Sequence, residues 1–371
     1  MSPNGTESGG SRRAFLRGLA GVGIGVAGTS GATAVTARNS PRPTVLTQNL
    51  YFGFDLSPLL VADSLRGFRR IVGGFVDDLD PAVYRARAEG IAASVAAADA
   101  DVVALQEATL FRVQRPSDYA TRGGGAATEV AVDLLAEVET ALDRRGLDFD
   151  RAAVTTTSDA ELPGTTADGT ADLRITDRNA LLVRSGIDVE RRVRRRFDTS
   201  VGFQIPETDQ TVALRRGYAR ADLSMDGLAF TAVSTHLESV SSFMRYLQAS
   251  ELLDALPRGR RVILAGDLNS GPNTDSAAYD LLTESFTDPF VRLRYRGGRT
   301  CCQSATLRND RSNLDRRIDA VLRRGRLRAT AVDRVNHRRA DRVTVQRDGE
   351  DDSISLWPSD HAGVVATFRD R

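Results

Sequence analysis

The sequence predicts an α/β domain in which helices pack on a β-sheet. Short apolar runs that end in turn residues, at residues 44–50, 101–107 and 262–265, are typical of buried strands. Residues 81–98, between the first two runs, predict an amphipathic helix. A strand, a helix and a second strand in this order predict a layered α/β architecture. The composition, with 41% hydrophobic and 27% charged residues in a chain of 371, is that of a folded domain and excludes disorder throughout.

Further predicted strands and helices alternate along the rest of the chain. Strand patterns cover residues 178–184, 218–223, 228–235, 318–322 and 362–368, and helix patterns cover residues 59–76, 129–145, 243–256 and 276–282. A turn at residues 225–227 predicts that two of these strands form a hairpin. The basic run 191–196 predicts an edge strand or solvated face, with contact to an anionic substrate as the alternative. We find no repeat or dividing linker and expect one domain over residues 42–371.

Residues 1–37 predict an export signal rather than a part of the fold. SRRAFL at residues 11–16 is followed by an apolar, glycine-rich run and by small residues up to Ala37. A basic region, a short apolar region and a small-residue cleavage site have the order of a signal peptide, and the paired arginines resemble a twin-arginine signal. A short uncleaved anchor helix is the alternative. We therefore expect a prokaryotic protein, exported folded by the twin-arginine translocase, that is secreted, periplasmic or on the cell surface.

Neither net charge nor cysteine content identifies a partner. The formal net charge is +1 and all 50 basic residues are arginine, so nucleic-acid binding would need a local basic patch. The two cysteines are the adjacent Cys301 and Cys302, too few for a disulfide framework or a zinc site. Because a bond between neighbouring cysteines is strained and rare, we predict two thiols packed near a turn, with a vicinal redox switch as the alternative.

Polar side chains stand at the ends of predicted strands along the whole chain. They are Asn49, Glu107, His236, Asp267, Asn269, Asp319 and the neighbours Asp360 and His361. Asp267 and Asn269 follow one apolar run two residues apart, and the period of a strand turns both to the same side. Alone, they are typical of a turn. Two of the three histidines in the chain also fall in such positions, which favours a common site over separate structural roles.

The motifs TQNL, LQEA, STHLES, LAGDLNSGP, RRIDAVL and SDHAGVVATF occur in this order. Together they resemble the endonuclease/exonuclease/phosphatase superfamily. The resemblance extends from Val45 to Phe368, nearly the whole chain after the signal. It implies a four-layer α/β/β/α sandwich, with two packed mixed sheets flanked by helices. It also implies hydrolysis of phosphoesters by metal-assisted attack of water on phosphorus.

The same resemblance implies the ligands of a catalytic divalent cation. Glu107 would be the main ligand, helped by Asn49 and Asp360. The family usually uses Mg²⁺, and we expect Mg²⁺ or Mn²⁺ because oxygen ligands suit a hard cation. The cation would polarise a phosphoryl oxygen and offset the charge of the transition state.

Other residues of the resemblance would act on water and phosphate. Asp267 would orient or deprotonate the attacking water, and Asn269 would hold a phosphate oxygen. His361 would contact the phosphate or assist proton transfer, and a hydrogen bond from its ring to Asp319 would fix its tautomer.

His236 would be a second histidine facing the phosphate or the leaving group, supported by Asp177 or Asn179. The substrate class stays open between nucleic acid, a phospholipid head group and a small phosphodiester, and we expect a monomer. A catalytically silent relative that acts as a binding module is the alternative, although such a relative would be expected to have lost site residues and none is missing. The chain contains no G-x-S-x-G motif before a helix and no H-E-x-x-H motif, which disfavours a serine or zinc hydrolase.

Overall fold

Two β-sheets packed face to face occupy the centre of the protein, and helices cover their outer faces. The computed structural model describes residues 41–119, 125–293, 298–346 and 353–371. The strands are β1 (Thr44–Asn49), β2 (Val102–Gln106), β3 (Leu110–Gln114), β4 (Glu129–Asp133), β5 (Phe149–Thr166), β6 (Gly169–Arg184), β7 (Asp188–Gln204), β8 (Thr211–Met225), β9 (Leu228–His236), β10 (Val262–Asp267), β11 (Asp319–Arg324), β12 (Leu327–Val335), β13 (Val343–Gln346), β14 (Ser353–Leu356) and β15 (Gly363–Asp370). The helices are α1 (Ser57–Leu60), α2 (Leu65–Asp77), α3 (Pro81–Ala98), α4 (Leu134–Arg144), α5 (Ser242–Ala255), α6 (Ala277–Ser285) and α7 (Pro289–Leu293), with a 3₁₀ turn at Arg339–Asp341.

Both large sheets are mixed. Among the described residues, the larger sheet has eight strands in the order β12-β15-β1-β2-β6-β3-β4, with β5 also paired to β6. The smaller sheet has the order β11-β10-β9-β8-β7, and β13 pairs with β14 separately. Strands β1 and β2 are parallel, as are β9 and β10, while their outer neighbours run antiparallel to them. The basic run 191–196 lies in the edge strand β7, which confirms that prediction.

Apolar side chains fill the spaces between four layers. Small residues such as Ala104 of β2 and Ala265 of β10 lie between the two sheets and allow them to pack closely. Helices α2, α3 and α4 cover the larger sheet, where Ile91 is buried. Helices α5 and α6 cover the smaller sheet through Leu252 and Leu282. These layers form the α/β/β/α sandwich, so the predicted fold is confirmed.

The sheet pairing brings polar residues from separate parts of the chain to one end of the sandwich. Asp267 closes β10 and pairs in register with His236 of β9 and Asp319 of β11. In the other sheet, Asn49 closes β1 and Glu107 follows β2 directly. The parallel pairs β1–β2 and β9–β10 both end at the same end of the sandwich. The polar groups of the two sheets therefore lie close together there.

Two predicted helices differ from the structure. The helix predicted over residues 129–145 begins only at Leu134, because Glu129–Asp133 forms β4 and pairs with β3. Apolar and polar residues alternate in that stretch with the period of a strand, although the longer segment also fits the period of a helix. Pairing with β3 stabilises the strand. The helix predicted over residues 59–76 is divided into α1 and α2, since the Ser64 side chain accepts a hydrogen bond from the Gly67 N–H and starts a new helix.

The turn predicted at residues 225–227 is confirmed, because Met225 pairs with Leu228 between β8 and β9. The predicted export signal lies outside the described residues and stays a prediction. Among the helices that the structure describes, none combines the length and apolar character needed to cross a bilayer.

Candidate active site

A cavity of about 500 Å³ opens where the strand ends of the two sheets meet. The predicted residues that line it are Glu107, His236, Asp267, Asn269, Asp360 and His361. Asn49 and Asp319 lie behind the lining and bond to members of it. All of the predicted site residues therefore belong to one cluster, while the role of each stays a prediction.

Glu107 stands among other carboxylates and accepts few hydrogen bonds. Its oxygens accept from the Phe52 backbone N–H at 2.9 Å and from Asn49 Nδ2 at 3.1 Å. Burial, reinforced by the carboxylates of Asp360 and Asp177, raises the pKa of Glu107 to about 8. A divalent cation among these groups would offset their repulsion, and oxygen donors are the ligands that a hard cation prefers. The residues present therefore fit the predicted cation.

Asn49 connects the two sheets through its side-chain amide. Nδ2 donates to Asp267 Oδ2 at 3.0 Å as well as to Glu107, while Oδ1 accepts from the Tyr51 backbone N–H at 2.8 Å. In this arrangement the amide oxygen faces away from the carboxylates. Ligation of a cation by that oxygen requires the amide to turn over, and it stays a prediction.

His361 and Asp319 form a hydrogen-bonded pair. His361 Nδ1 lies 2.8 Å from Asp319 Oδ2, so Nδ1–H donates and Nε2 faces the cavity. Burial acts to lower the pKa of His361, but the carboxylates of Asp319, Asp360 and Asp267 outweigh it and raise the pKa well above its ordinary value. This environment favours the protonated ring, in which the Nε2 proton faces the cavity.

A loop before β11 holds this pair in position. Thr300 Oγ1 accepts from the Asp319 backbone N–H at 3.1 Å, and the Thr300 carbonyl accepts from the Ala362 N–H at 2.7 Å. The Gln303 N–H donates to the Asp360 carbonyl at 2.8 Å. The loop thus fixes the separation between β11 and the segment that carries His361.

The same loop contains the two cysteines, which are joined by a disulfide with their Cα atoms 3.0 Å apart. The prediction of two thiols is therefore wrong. Both residues line the cavity, and the backbone of Cys301 pairs with that of His361. The Arg316 guanidinium lies 3.4 Å from the Cys302 sulfur. Cys301 also pairs with Arg316, so the disulfide lies on a loop that is bonded on both sides, and this tertiary setting is not visible in the sequence of an adjacent pair.

His236 has the opposite charge state to His361. Its Nδ1 lies 3.1 Å from Arg216 Nη1, and because a guanidinium only donates, Nδ1 accepts and the ring proton is on Nε2. Nε2 lies 3.4 Å from Asp267 Oδ2, and 3.1 Å from the Asn269 amide. Burial and the charge of Arg216 lower the pKa of His236 well below its ordinary value. The cavity therefore contains one cationic and one neutral imidazole.

Asn269 turns the chain immediately after Asp267. Its backbone N–H donates to Asp267 Oδ1 at 2.9 Å, with a φ of 47° in the left-handed region. Such a φ is uncommon outside glycine, and asparagine tolerates it better than most residues. The Asn269 side chain donates to the Leu237 carbonyl at 3.0 Å. It therefore orients Asp267 and borders His236, while its predicted contact with phosphate stays a prediction.

Arg216 lines the cavity and was not predicted from the sequence. Besides His236, its guanidinium contacts Ser239 Oγ at 3.2 Å and lies 3.8 Å from Glu238 Oε2 and 3.9 Å from Asp177 Oδ2. Asp177 is thereby linked to His236, as the predicted support would require. Arg216 is one of 50 arginines and lies on a strand that carries no recognised motif. The sequence therefore gives no indication that this arginine belongs to the site.

Asn179, the other predicted support, lies behind the cavity rather than in it. Its Nδ2 donates to the Gly217 carbonyl at 2.7 Å, across to strand β8. Gly217 pairs in register with His236. Asn179 therefore bonds to the strand residue that pairs with His236 rather than to the histidine, and its support of His236 stays a prediction.

Arg87 of α3 was also missed, and it joins the two segments that carry predicted metal ligands. Its buried guanidinium donates to the Tyr51 carbonyl at 2.7 Å, two residues after Asn49. Its Nε donates to the Pro358 carbonyl at 3.0 Å, two residues before Asp360. A helix residue thus holds the ends of β1 and of the loop before β15 at a fixed separation.

We expect Arg87→Met to lower kcat about tenfold to a hundredfold and to weaken Mn²⁺ binding, because both segments lose their common donor. Steady-state kinetics and electron paramagnetic resonance of Mn²⁺ measure the two effects. Arg85→Met, at an exposed position of the same helix, is the matched control. A folded Arg87→Met protein with normal kcat and normal Mn²⁺ affinity would show that Arg87 does not position the site.

The chain is similar to known proteins in sequence and in structure. The sequence model of the Endonuclease/Exonuclease/phosphatase family matches residues 46–361, whereas no curated protein matches the chain. A family protein from Bacteroides thetaiotaomicron has 16% identity and a TM-score of 0.55, with 90% of this chain and 99% of that chain covered. One from Bacteroides vulgatus has 14% identity and a TM-score of 0.52, with 89% and 100% covered.

A third similar structure is the mannosyl-6-phosphatase of Bacteroides thetaiotaomicron VPI-5482. It has 15% identity and a TM-score of 0.53, with 88% of this chain and 99% of that chain covered. At such identities the structural likeness shows the fold alone. The family match, however, spans most of the chain and includes the strand ends that form the cavity. The chain therefore belongs to the endonuclease/exonuclease/phosphatase family.

Proposed function

We propose that the protein is a divalent-metal-dependent phosphoester hydrolase that is exported by the twin-arginine route. Members of the family are phosphoester hydrolases, and one protein of similar fold is named as a mannosyl-6-phosphatase. The observation that carries the proposal is the position of Asp267. It lies between Asn49, which links it to Glu107, and the Nε2 atoms of His236 and His361, at 3.4 Å and 3.9 Å.

The cation is assigned to the carboxylates of Glu107 and Asp360, with Asn49 beside them. When bound, it supplies charge stabilisation to a phosphoryl oxygen and to the transition state. Burial, reinforced by the repulsion of neighbouring carboxylates, raises the pKa of Glu107 to about 8, and this supports the assignment because a bound cation would offset that repulsion.

Asp267 is the group assigned to the attacking water. Burial and the neighbouring Asp319 carboxylate raise its pKa to about 6, close to the pH at which a general base works best. The water oxygen forms a bond to phosphorus as its proton passes to Asp267, and the bond from phosphorus to the ester oxygen breaks. His361, 3.9 Å from Asp267 through Nε2, gives its proton to the departing oxygen.

The test is a substrate panel with and without metal. After treatment with EDTA, the protein is assayed on aryl and alkyl phosphate mono- and diesters, mannose 6-phosphate, double-stranded DNA, RNA and sphingomyelin. We expect at least one ester to be hydrolysed with Mg²⁺ or Mn²⁺ and none with EDTA. Fractionation of prokaryotic cells that express the whole chain tests export.

Two results would change the proposal. Absence of hydrolysis on the whole panel with either cation would overturn it in favour of the silent binding module. Hydrolysis of DNA that falls steeply with salt would indicate that basic side chains contact several phosphates, because binding to a polyanion releases counterions.

A further inference from the structure

One side of the active-site cavity is apolar. The residues on that side, here termed the apolar wall, are Phe52, Leu56, Leu60, Ile175, Phe203 and Leu214. Ile175 is buried, and the other five are half-buried, so they keep part of their side chains accessible. A soluble protein rarely leaves adjoining apolar side chains open in a concave surface unless they bind something.

The apolar wall continues directly from the reacting groups. Ile175 precedes Asp177 by two residues on β6, and Leu214 precedes Arg216 by two residues on β8. Residues two apart on a strand face the same side and lie about 7 Å from each other. The backbone N–H of Phe52 donates to the carboxylate of Glu107 at 2.9 Å. A group attached to a phosphate at the centre would therefore reach the wall within a few bonds.

The charges that line the cavity do not suit a polyphosphate. In the described lining the arginines are Arg216 and Arg316. Arg216 is engaged by His236 and Ser239 and stands near two carboxylates. Arg316 lies 3.2 Å from the exposed Asp315 and against the disulfide. A second or third phosphate would therefore meet little uncompensated positive charge.

We propose that the substrate is a phosphoester with a single phosphate group and an apolar substituent, alkyl or aryl, that binds against the apolar wall. This proposal rests on the proposed hydrolase function and narrows its substrate class. The apolar substituent contributes affinity through burial, in proportion to the area that leaves water. Nucleic acids and highly phosphorylated compounds are correspondingly disfavoured.

The experiment measures binding of phosphonates, which cannot be hydrolysed, by calorimetry with Mg²⁺ present. The probes are methyl-, butyl- and octylphosphonate, with benzylphosphonate as the aryl arm. We expect octylphosphonate to bind about a hundredfold more tightly than methylphosphonate. If benzylphosphonate binds more tightly than the alkyl series predicts for its size, the substituent is aryl. If octylphosphonate is the tightest ligand, the substituent is an aliphatic chain.

Two wall variants and one control sharpen the test. Leu214→Asn and Phe203→Ser should each reduce the ratio of octyl to methyl affinity by about tenfold. Val130→Asn, at an exposed position outside the cavity, should leave the ratio unchanged. Affinities of methyl- and octylphosphonate within about threefold of each other in the unaltered protein would overturn the proposal, even if the variants failed to fold.

The result also separates this proposal from the hydrolase function. Selective binding of octylphosphonate without hydrolysis of any ester would overturn the proposed hydrolase function but would support a binding site for an apolar substituent. Metal-dependent hydrolysis without preference for longer substituents would overturn the apolar site and leave the hydrolase.

Discussion

Replacing Asp267 by asparagine is expected to lower kcat about a thousandfold while the protein stays folded. An amide cannot accept the proton of the attacking water, yet it fills the same volume. It can still accept the hydrogen bond from the Asn269 backbone N–H, which is 2.9 Å long, but it loses the one that Asp267 Oδ2 accepts from Asn49 Nδ2 at 3.0 Å. The loss should therefore appear in kcat and not in the fold.

Stability separates this catalytic role from a structural one. Burial and Asp319 raise the pKa of Asp267 to about 6, so above that pH the folded protein contains an ionised group that it disfavours. Asparagine removes that cost. We expect the free energy of unfolding of Asp267→Asn, measured at pH 8 in EDTA, to be equal to or higher than that of the unaltered protein.

The control for this change is Asp143→Asn, an exposed residue at the end of α4. It should leave kcat unchanged. If Asp267→Asn were as active as the control with the preferred substrate and metal, Asp267 would not be the group that activates water. If it were inactive but strongly destabilised, its role would be structural.

Replacing His361 by alanine is expected to lower kcat about a hundredfold to a thousandfold for esters with poor leaving groups. The imidazolium that Asp319 holds at 2.8 Å donates its Nε2 proton to the departing oxygen. A 4-nitrophenolate leaves without needing that proton. The loss should therefore be much smaller for a 4-nitrophenyl ester than for the matching alkyl ester.

The matched control is His337→Ala, the third histidine, which does not line the cavity. Its kcat should be normal with both esters. An equal loss for the two esters in His361→Ala would contradict proton donation and would leave only a contact with phosphate. Normal rates with both esters would remove His361 from the site.

Much of the site could be predicted because its residues stand at strand ends. The run Val262–Asp267 is a buried strand, and Asp267 is its last residue. Asp267 therefore lies where the strands of this sheet end. Neighbouring strands then bring His236 and Asp319 beside Asp267 in register. The family motifs and the ends of the predicted strands both point to positions of this kind, and they identified the same residues.

Other features depend on contacts that no local pattern encodes. Arg216 and Arg87 act through carbonyls and side chains supplied by distant segments. The Cys301–Cys302 disulfide lies in a loop whose backbone pairs with Arg316 and with His361. The first residues of the helix predicted over 129–145 form a strand because β3 offers a partner. In each case contacts with distant parts of the chain determine the local structure or the side-chain partner, and the local sequence alone does not distinguish it from the alternatives.

The measurement that tests the central claim most directly compares metal binding with turnover in one preparation. Mn²⁺ binding is followed by electron paramagnetic resonance, and hydrolysis of the preferred ester is followed at the same free Mn²⁺ concentrations, for the unaltered protein and for Glu107→Gln. We expect turnover to be absent after EDTA treatment and to rise with occupancy of the bound ion, and both curves to move to higher Mn²⁺ in Glu107→Gln. Full activity in EDTA without bound metal would contradict the account.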